Sequence, residues 1–175
     1  MYERKLVEGS IYTGRIKHLI VDLTQIQYDL LEFKYFDGYK SDTVDLVIDS
    51  NKNYTLLINY IIEHFAAKFG KHLRPKNLWG NVLHQNTFTI SKNDKNQSEY
   101  TAIICLDTAL DNTQLHINYD DIGKHKNKNK FFDFRKDCFF LFPSDWNYFL
   151  KVKEKYQPSY FLTINFNHIN DDSIE

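Results

Sequence analysis

From Asp49 to Gly70 the apolar residues Leu57, Ile61, Phe65 and Phe69 recur at every fourth position, and Leu56, Tyr60 and Ile62 widen the same stripe. A period near 3.6 is that of an α-helix showing one face to a core. Asp49, Ser50 or Asn51 offers a side-chain oxygen to cap its start, and Gly70 suits the left-handed turn that ends a helix. The spacing therefore predicts one main supporting helix near 50–70, covering a face of a sheet. Upstream the pattern is looser. Gly14 to Leu23 alternates like a strand, and Gln25 to Phe36, which fits either period, is read as a continuation of strand. After Pro75 short apolar or alternating segments are separated by Asn- and Asp-rich breaks, which is the mark of strands. They are expected near Leu78–Ile90, Tyr100–Asp107, Gln114–Tyr119, Phe131–Phe134, Cys138–Phe142, Tyr148–Val152 and Tyr160–Asn167. Ser91–Gln97 and Gly123–Lys130 read as polar loops, and Asn170–Glu175 as a frayed acidic end. The fold class that follows is α+β, mainly β: an antiparallel jelly roll backed by a helix.

Composition narrows the picture only a little. A chain of 175 residues is the size of one domain, expected to divide into N-terminal strands and helix (1–75), a jelly-roll core (76–168) and a flexible tail (169–175). The 42% apolar and 16% aromatic content, with mean hydropathy −0.52, is that of a chain able to bury a core. No run approaches the roughly 18 apolar residues of a spanning helix, and no signal-peptide core follows Met1, so no membrane partner is expected and synthesis in the cytoplasm is. A formal charge of −1 makes nucleic acid an unexpected partner. Cys105 and Cys138 each lie inside an apolar run and read as buried free thiols. The abundance of Lys, Asn, Ile, Tyr and Phe fits an AT-rich genome, as many phages have.

Four segments carry a family likeness: Trp79-Gly80-Asn81-Val82, Tyr100-Thr101-Ala102-Ile103-Ile104-Cys105-Leu106, Phe139-Phe140-Leu141-Phe142-Pro143-Ser144 and Phe161-Leu162-Thr163-Ile164-Asn165-Phe166-Asn167. Their order and content resemble the 2-oxoglutarate/Fe(II) oxygenases over roughly the C-terminal hundred residues. The most telling pieces are Leu141-Phe142-Pro143-Ser144 and the closing Ile164-Asn165-Phe166-Asn167. The resemblance implies a double-stranded β-helix, with two histidines and a carboxylate on one inner face and a cation for the keto acid on the closing strand.

The places that the resemblance assigns to those groups are not filled. Between Trp79 and Tyr100 there is no H-x-D or H-x-E; the interval offers His84, Thr87, Thr89, Ser91, Asn93 and Asp94, and His84 with Asn86 puts an amide where a carboxylate is needed. From Asp145 to Val152 there is no histidine, and where a cation should open the closing strand stands Tyr160 or Phe161. The expected metal set is accordingly empty. His84, Asp94 and His116 come nearest to a relocated one, on the premise that His84 and His116 converge inside the barrel. His64, His72, His125 and His168 are scattered. No nucleophile elbow and no phosphate loop occurs.

The expected function is thus a non-catalytic structural or adaptor protein without cofactors. It would act through contacts with other proteins in a larger assembly, a phage or virus particle component being the foremost case. Trp146, Tyr148, Tyr156 and Tyr160 are the aromatic candidates for such contacts. Lys126, Lys128 and Lys130 in the basic loop are candidates for an acidic partner. The alternatives are a divergent hydroxylase using Fe(II) and 2-oxoglutarate, and a cupin-like module that binds a small molecule.

Overall fold

The computed structural model describes residues 1–6, 9–17, 20–36, 43–83, 98–106, 113–121, 126–135, 137–153 and 159–169. Along the chain come β1 (Tyr2–Leu6), β2 (Gly9–Arg15), α1 (Leu23–Phe36), β3 (Thr43–Leu46), a 3-10 turn (Ile48–Ser50), α2 (Lys52–Phe69) and β4 (Leu73–Leu83). Then follow β5 (Tyr100–Cys105), β6 (Thr113–Asp121), β7 (Lys126–Asp133), β8 (Cys138–Pro143), β9 (Asn147–Val152) and β10 (Ser159–His168). Seven strands make one sheet in the order β1-β2-β8-β5-β10-β4-β3, and three make a second, β7-β6-β9. Every pairing is antiparallel. From β5 onward the chain passes back and forth between the two sheets, which is the winding of a jelly roll.

The centre of the large sheet shows why these sequences fold this way. β10 lies between β4 and β5 and is buried on both faces, so it reads as a nearly unbroken apolar run. Tyr160, Leu162, Ile164 and Phe166 point to one side and join a core with both helices. Phe161 points to the other and joins a second core, enclosed between the sheets, with Ile103, Leu115, Phe142 and Leu150.

The helix layer closes the outer side of the large sheet. α2 forms as its four-residue apolar spacing predicts: Asn51 Oδ1 accepts the Asn53 N–H at 2.8 Å, and Gly70, at φ 66°, donates its N–H to the Ala66 carbonyl at 2.8 Å. Gln25–Phe36 is a correction to the sequence reading, because it lies in α1 and not in a strand. Leu23, Ile26 and Leu30 are fully or nearly fully buried at helical spacing, and Asp22 Oδ1 accepts the Gln25 N–H at 3.0 Å to start the helix. α1 seats on β4 through Gly80, where a Cβ would come within 2.1 Å of Leu30 Cδ2. The single supporting helix expected from the sequence is therefore one of two.

Smaller corrections concern boundaries. β2 ends at Arg15 instead of running to Leu23, and β4 begins at Leu73. The basic segment read as a loop to Lys130 is strand from Lys126 onward, hydrogen-bonded to β6 through pairs such as Ile117 with Lys130. Ser91–Gln97 lies outside the described residues, as does the chain from 170 onward.

Candidate functional site

The space between the sheets is where the sequence places a candidate site, and three strands decide its chemistry. On β9 the residues directed inward are Tyr148, Leu150 and Val152, with Trp146 just before the strand. The Tyr148 ring meets Phe142 edge-on, with centroids 5.2 Å apart. Burial pushes the Tyr148 hydroxyl above the ordinary phenol range. On β10, Phe161 is 0% exposed, paired in register with Asn81 on one side and Cys105 on the other, and its ring lies 5.3 Å from that of Phe134.

Several polar groups on these strands are neutral and pair with one another, whereas Asn167 Oδ1 on β10 is buried without a hydrogen-bond partner among the described residues. Asn81 Nδ2 donates to Thr163 Oγ1 at 3.1 Å. Thr101 Oγ1 donates to Asn165 Oδ1 at 3.1 Å and lies 2.8 Å from Ser144 Oγ, which accepts from Ser98 Oγ at 2.9 Å. Thr113 on the small sheet donates to Ser159 on the large one at 2.8 Å. Buried hydroxyls and amides matched in this way fasten strand to strand. None of them carries a charge that would hold a cation or a carboxylate.

The candidate metal residues do not assemble here among the described residues. His84 and Asp94 lie outside them. His116 is on β6 between Leu115 and Ile117, both of which face the inner core, so its ring is on the opposite, outer face. There it stacks on Phe149, centroids 4.5 Å apart and 11° between planes, with Phe131 on its other side. Burial chiefly, and the Lys151 charge after it, lower its pKa, and Nε2 is buried without a hydrogen-bond partner among the described residues. His116 thus turns away from the barrel interior. No group of three His, Cys, Asp or Glu among the described residues is placed to hold a metal ion. With Phe161 in the apolar core and no imidazole on β9, the described part of the interior does not fit Fe(II) with 2-oxoglutarate.

The aromatic contact candidates also change place. Trp146 is 5% exposed and Tyr160 7% exposed, in different cores on opposite sides of the large sheet, so they do not form one surface patch. Tyr148 is half-buried, and Tyr156 lies outside the described residues. Lys130 is exposed on β7, and the side chains of Lys126 and Lys128 are outside the described part. The exposed aromatics among the described residues are Tyr2, Tyr28 and Phe131, the last of which follows the basic segment.

Sequence reasoning missed a cleft of about 650 Å³ lined by residues of β2, α2 and β8 and of the chain leaving β7, among them Arg15, Lys17, Tyr60, His64, Arg135 and Cys138. No spacing in the sequence announces it, because Arg15 and Cys138 become neighbours only through the pairing of β2 with β8.

No helix among the described residues is long and apolar enough to cross a membrane. No family model matches the chain, and no curated protein matches it in sequence. Solved structures do match in shape. The non-heme alpha ketoglutarate dependent carbocyclase SnoK from nogalamycin biosynthesis superposes with a TM-score of 0.65 at 10% identity, over 89% of this chain and 78% of that one. The viral collagen prolyl hydroxylase of Paramecium Bursaria Chlorella virus-1 gives 0.58 at 12% identity, over 91% and 90%. A Pseudomonas putida prolyl-4-hydroxylase gives 0.59 at 10% identity, over 91% and 88%. The chain has the jelly-roll fold of the 2-oxoglutarate/Fe(II) oxygenases, as the strand order and the Phe-Pro turn of its sequence led one to expect.

Proposed function

We propose that this protein is a non-catalytic binding module built on an oxygenase-like jelly roll. The observation that carries the reading is Phe161: of Tyr160 and Phe161, which stand where a cation for a keto acid was expected, Phe161 is the one facing the space between the sheets, as a fully buried phenyl ring packed on Phe134. A keto-acid carboxylate buried against that ring would be desolvated with no opposite charge, which costs several kcal/mol, at least about 3. The absence of histidine from Asp145 to Val152 points the same way. Nothing in the fold or in the structures it resembles supports the expected place in a virus particle.

A second reading, a divergent Fe(II)/2-oxoglutarate hydroxylase, is favoured by the shape comparisons, since the matched structures include alpha ketoglutarate dependent enzymes and prolyl hydroxylases. It requires ligands from outside the described residues and another means of holding the keto acid. Anaerobic calorimetry of the whole chain with Fe(II) and then 2-oxoglutarate separates the two. Heat from neither is the expected result. Saturable binding of both, with 2-oxoglutarate converted to succinate on admitting air, establishes the enzyme.

A further inference from the structure

The cleft beside β2 and β8 is rimmed by cations, Arg15, Lys17 and Arg135. Arg15, the last residue of β2, is paired in register with Cys138, the first of β8. The Tyr60 hydroxyl of α2 donates to the Arg15 carbonyl at 2.9 Å, and the Ile16 N–H donates to the Asp137 carbonyl at 2.8 Å, which fixes the backbone from which the Arg15 side chain leaves. Arg135 is brought to the same place by a tight turn, in which the Cys138 N–H donates to the Arg135 carbonyl at 3.0 Å and Asp137 sits at φ 64°. Burial pushes the Cys138 thiol up, against the charges of Arg15 and Arg135 and with the weaker help of the neighbouring Asp137 carboxylate. Lys17 completes a cationic rim.

The acid in the cleft is already engaged. Asp133 accepts from Lys153 Nζ at 2.8 Å and from Gln114 Nε2 at 2.9 Å, and these bonds, the Lys153 one first, hold its carboxyl below the usual range. Arg135 adds a weaker through-space pull on that carboxylate, and among the described residues no carboxylate lies within ion-pair distance of Arg15, Lys17 or Arg135. Below the rim the cleft is aromatic. Tyr60 stacks on His64 at 3.9 Å, and the Phe139 ring lies over Gly14, where a Cβ would be 2.5 Å from it. His64 Nδ1 donates to the Tyr60 carbonyl at 2.8 Å, which leaves Nε2 as the ring nitrogen available to a ligand.

We infer that this cleft is a binding site for a small organic anion, its carboxylate or phosphate head held by Arg15 and Arg135 and its apolar body lying on the aromatic floor. Arg15 and Arg135 line the same cleft, and the planar forks of two guanidiniums match such a head. The volume suits a small molecule. None of the lining residues belongs to β9 or β10, so the site stands whether or not the barrel interior is catalytic.

Calorimetry of the whole chain with phenyl phosphate and with benzoate, and with phenol as the neutral counterpart, tests the inference. At least one anion should bind saturably, more tightly than phenol, and Arg15→Gln and Arg135→Gln should each weaken it about tenfold or more. Arg74→Gln, exposed on β4 and outside the cleft, should leave it unchanged. Occupancy by the bound anion should slow alkylation of Cys138 by neutral iodoacetamide, a readout that places the ligand in this cleft. Both arginines are exposed, so the variants should melt with the parent chain. Binding of neither anion, phenol binding as well as they do, an affinity indifferent to both arginine variants, or an unaltered Cys138 rate overturns the inference.

Discussion

Placing a cation at Phe161 asks the barrel interior directly what it was built to hold. Phe161 is fully buried, flanked in register by Asn81 and Cys105 and packed on Phe134, so among the described residues the F161R guanidinium would meet neutral neighbours. Removing the phenyl ring from its core forfeits about 1.5–3 kcal/mol of burial. Leaving a charge there without a partner costs about 3–5 kcal/mol more. A penalty of roughly 5 kcal/mol or above is comparable with the 5–15 kcal/mol that holds a domain of this kind folded, so F161R should be unfolded or nearly so at 25 °C. F161L, apolar and of similar bulk, should lose only about 1–1.5 kcal/mol. Urea unfolding followed by tryptophan fluorescence measures both, since Trp146 lies in the same core. The reasoning fails if F161R unfolds within about 1 kcal/mol of the parent chain. It fails further if 2-oxoglutarate then raises the F161R midpoint, because the interior would have room and use for a cation.

Three further outcomes follow from the packing and the charges. Gly80→Ala should destabilise by about 1–3 kcal/mol through the clash with Leu30, and a double-mutant cycle with Leu30→Ala should show a favourable coupling; strict additivity would mean that α1 does not rest on this contact. Asn51→Ala should cost about 1–2 kcal/mol, because it removes both the cap on Asn53 and the 2.6 Å hydrogen bond from Asn51 Nδ2 to Asp29 of α1. Asn51→Asp, which keeps the cap and sets two carboxylates together, should recover only part of the loss in thermal melts. His116 has a folded pKa below its ordinary 6.5, through burial first and Lys151 second, so the unfolded chain binds more protons. Its contribution to stability is whole above the unfolded value and is lost as pH falls through the folded one. His116→Phe should flatten that acid limb in denaturation curves, and an imidazole NMR titration midpoint at or above 6.5 would contradict the sign.

Much of the fold was legible because its signals are local. α2 shows its period and both caps within one stretch, and β5, β8 and β10 show runs that only a doubly buried strand needs. α1 was misread because its apolar residues are interleaved with Gln25, Gln27 and Tyr28, and its decisive contact, Leu30 on Gly80, is remote in sequence. The outward direction of His116 was legible in principle: Leu115 and Ile117 flank it with the alternation of a half-buried strand. Trp146 and Tyr160 suit a protein contact or a core equally in the sequence, since an aromatic side chain gives no sign of which sheet face it occupies until the register is known. The Arg15, Arg135 and Cys138 cluster was illegible for a stronger reason: it exists only where β2 meets β8.

The two cores separate the residues that set the shape from those on which a barrel chemistry would depend. The core between the helices and the large sheet sets the layering, and it is filled by residues such as Leu57, Ile61, Leu78, Ile104 and Ile164 that need only be apolar and of suitable size. An oxygenase-like shape is therefore compatible with identities of 10–12%. Chemistry depends instead on a few inner positions of β9 and β10, and there the side chains are Tyr148 and Phe161. A cation or an imidazole at those places is stable in a closed interior only while a ligand or a partner answers its charge. An aromatic ring needs no such answer and adds its own burial to the core. The same interior cannot satisfy both arrangements, which is why the stability of a single variant at Phe161 bears on what the protein does.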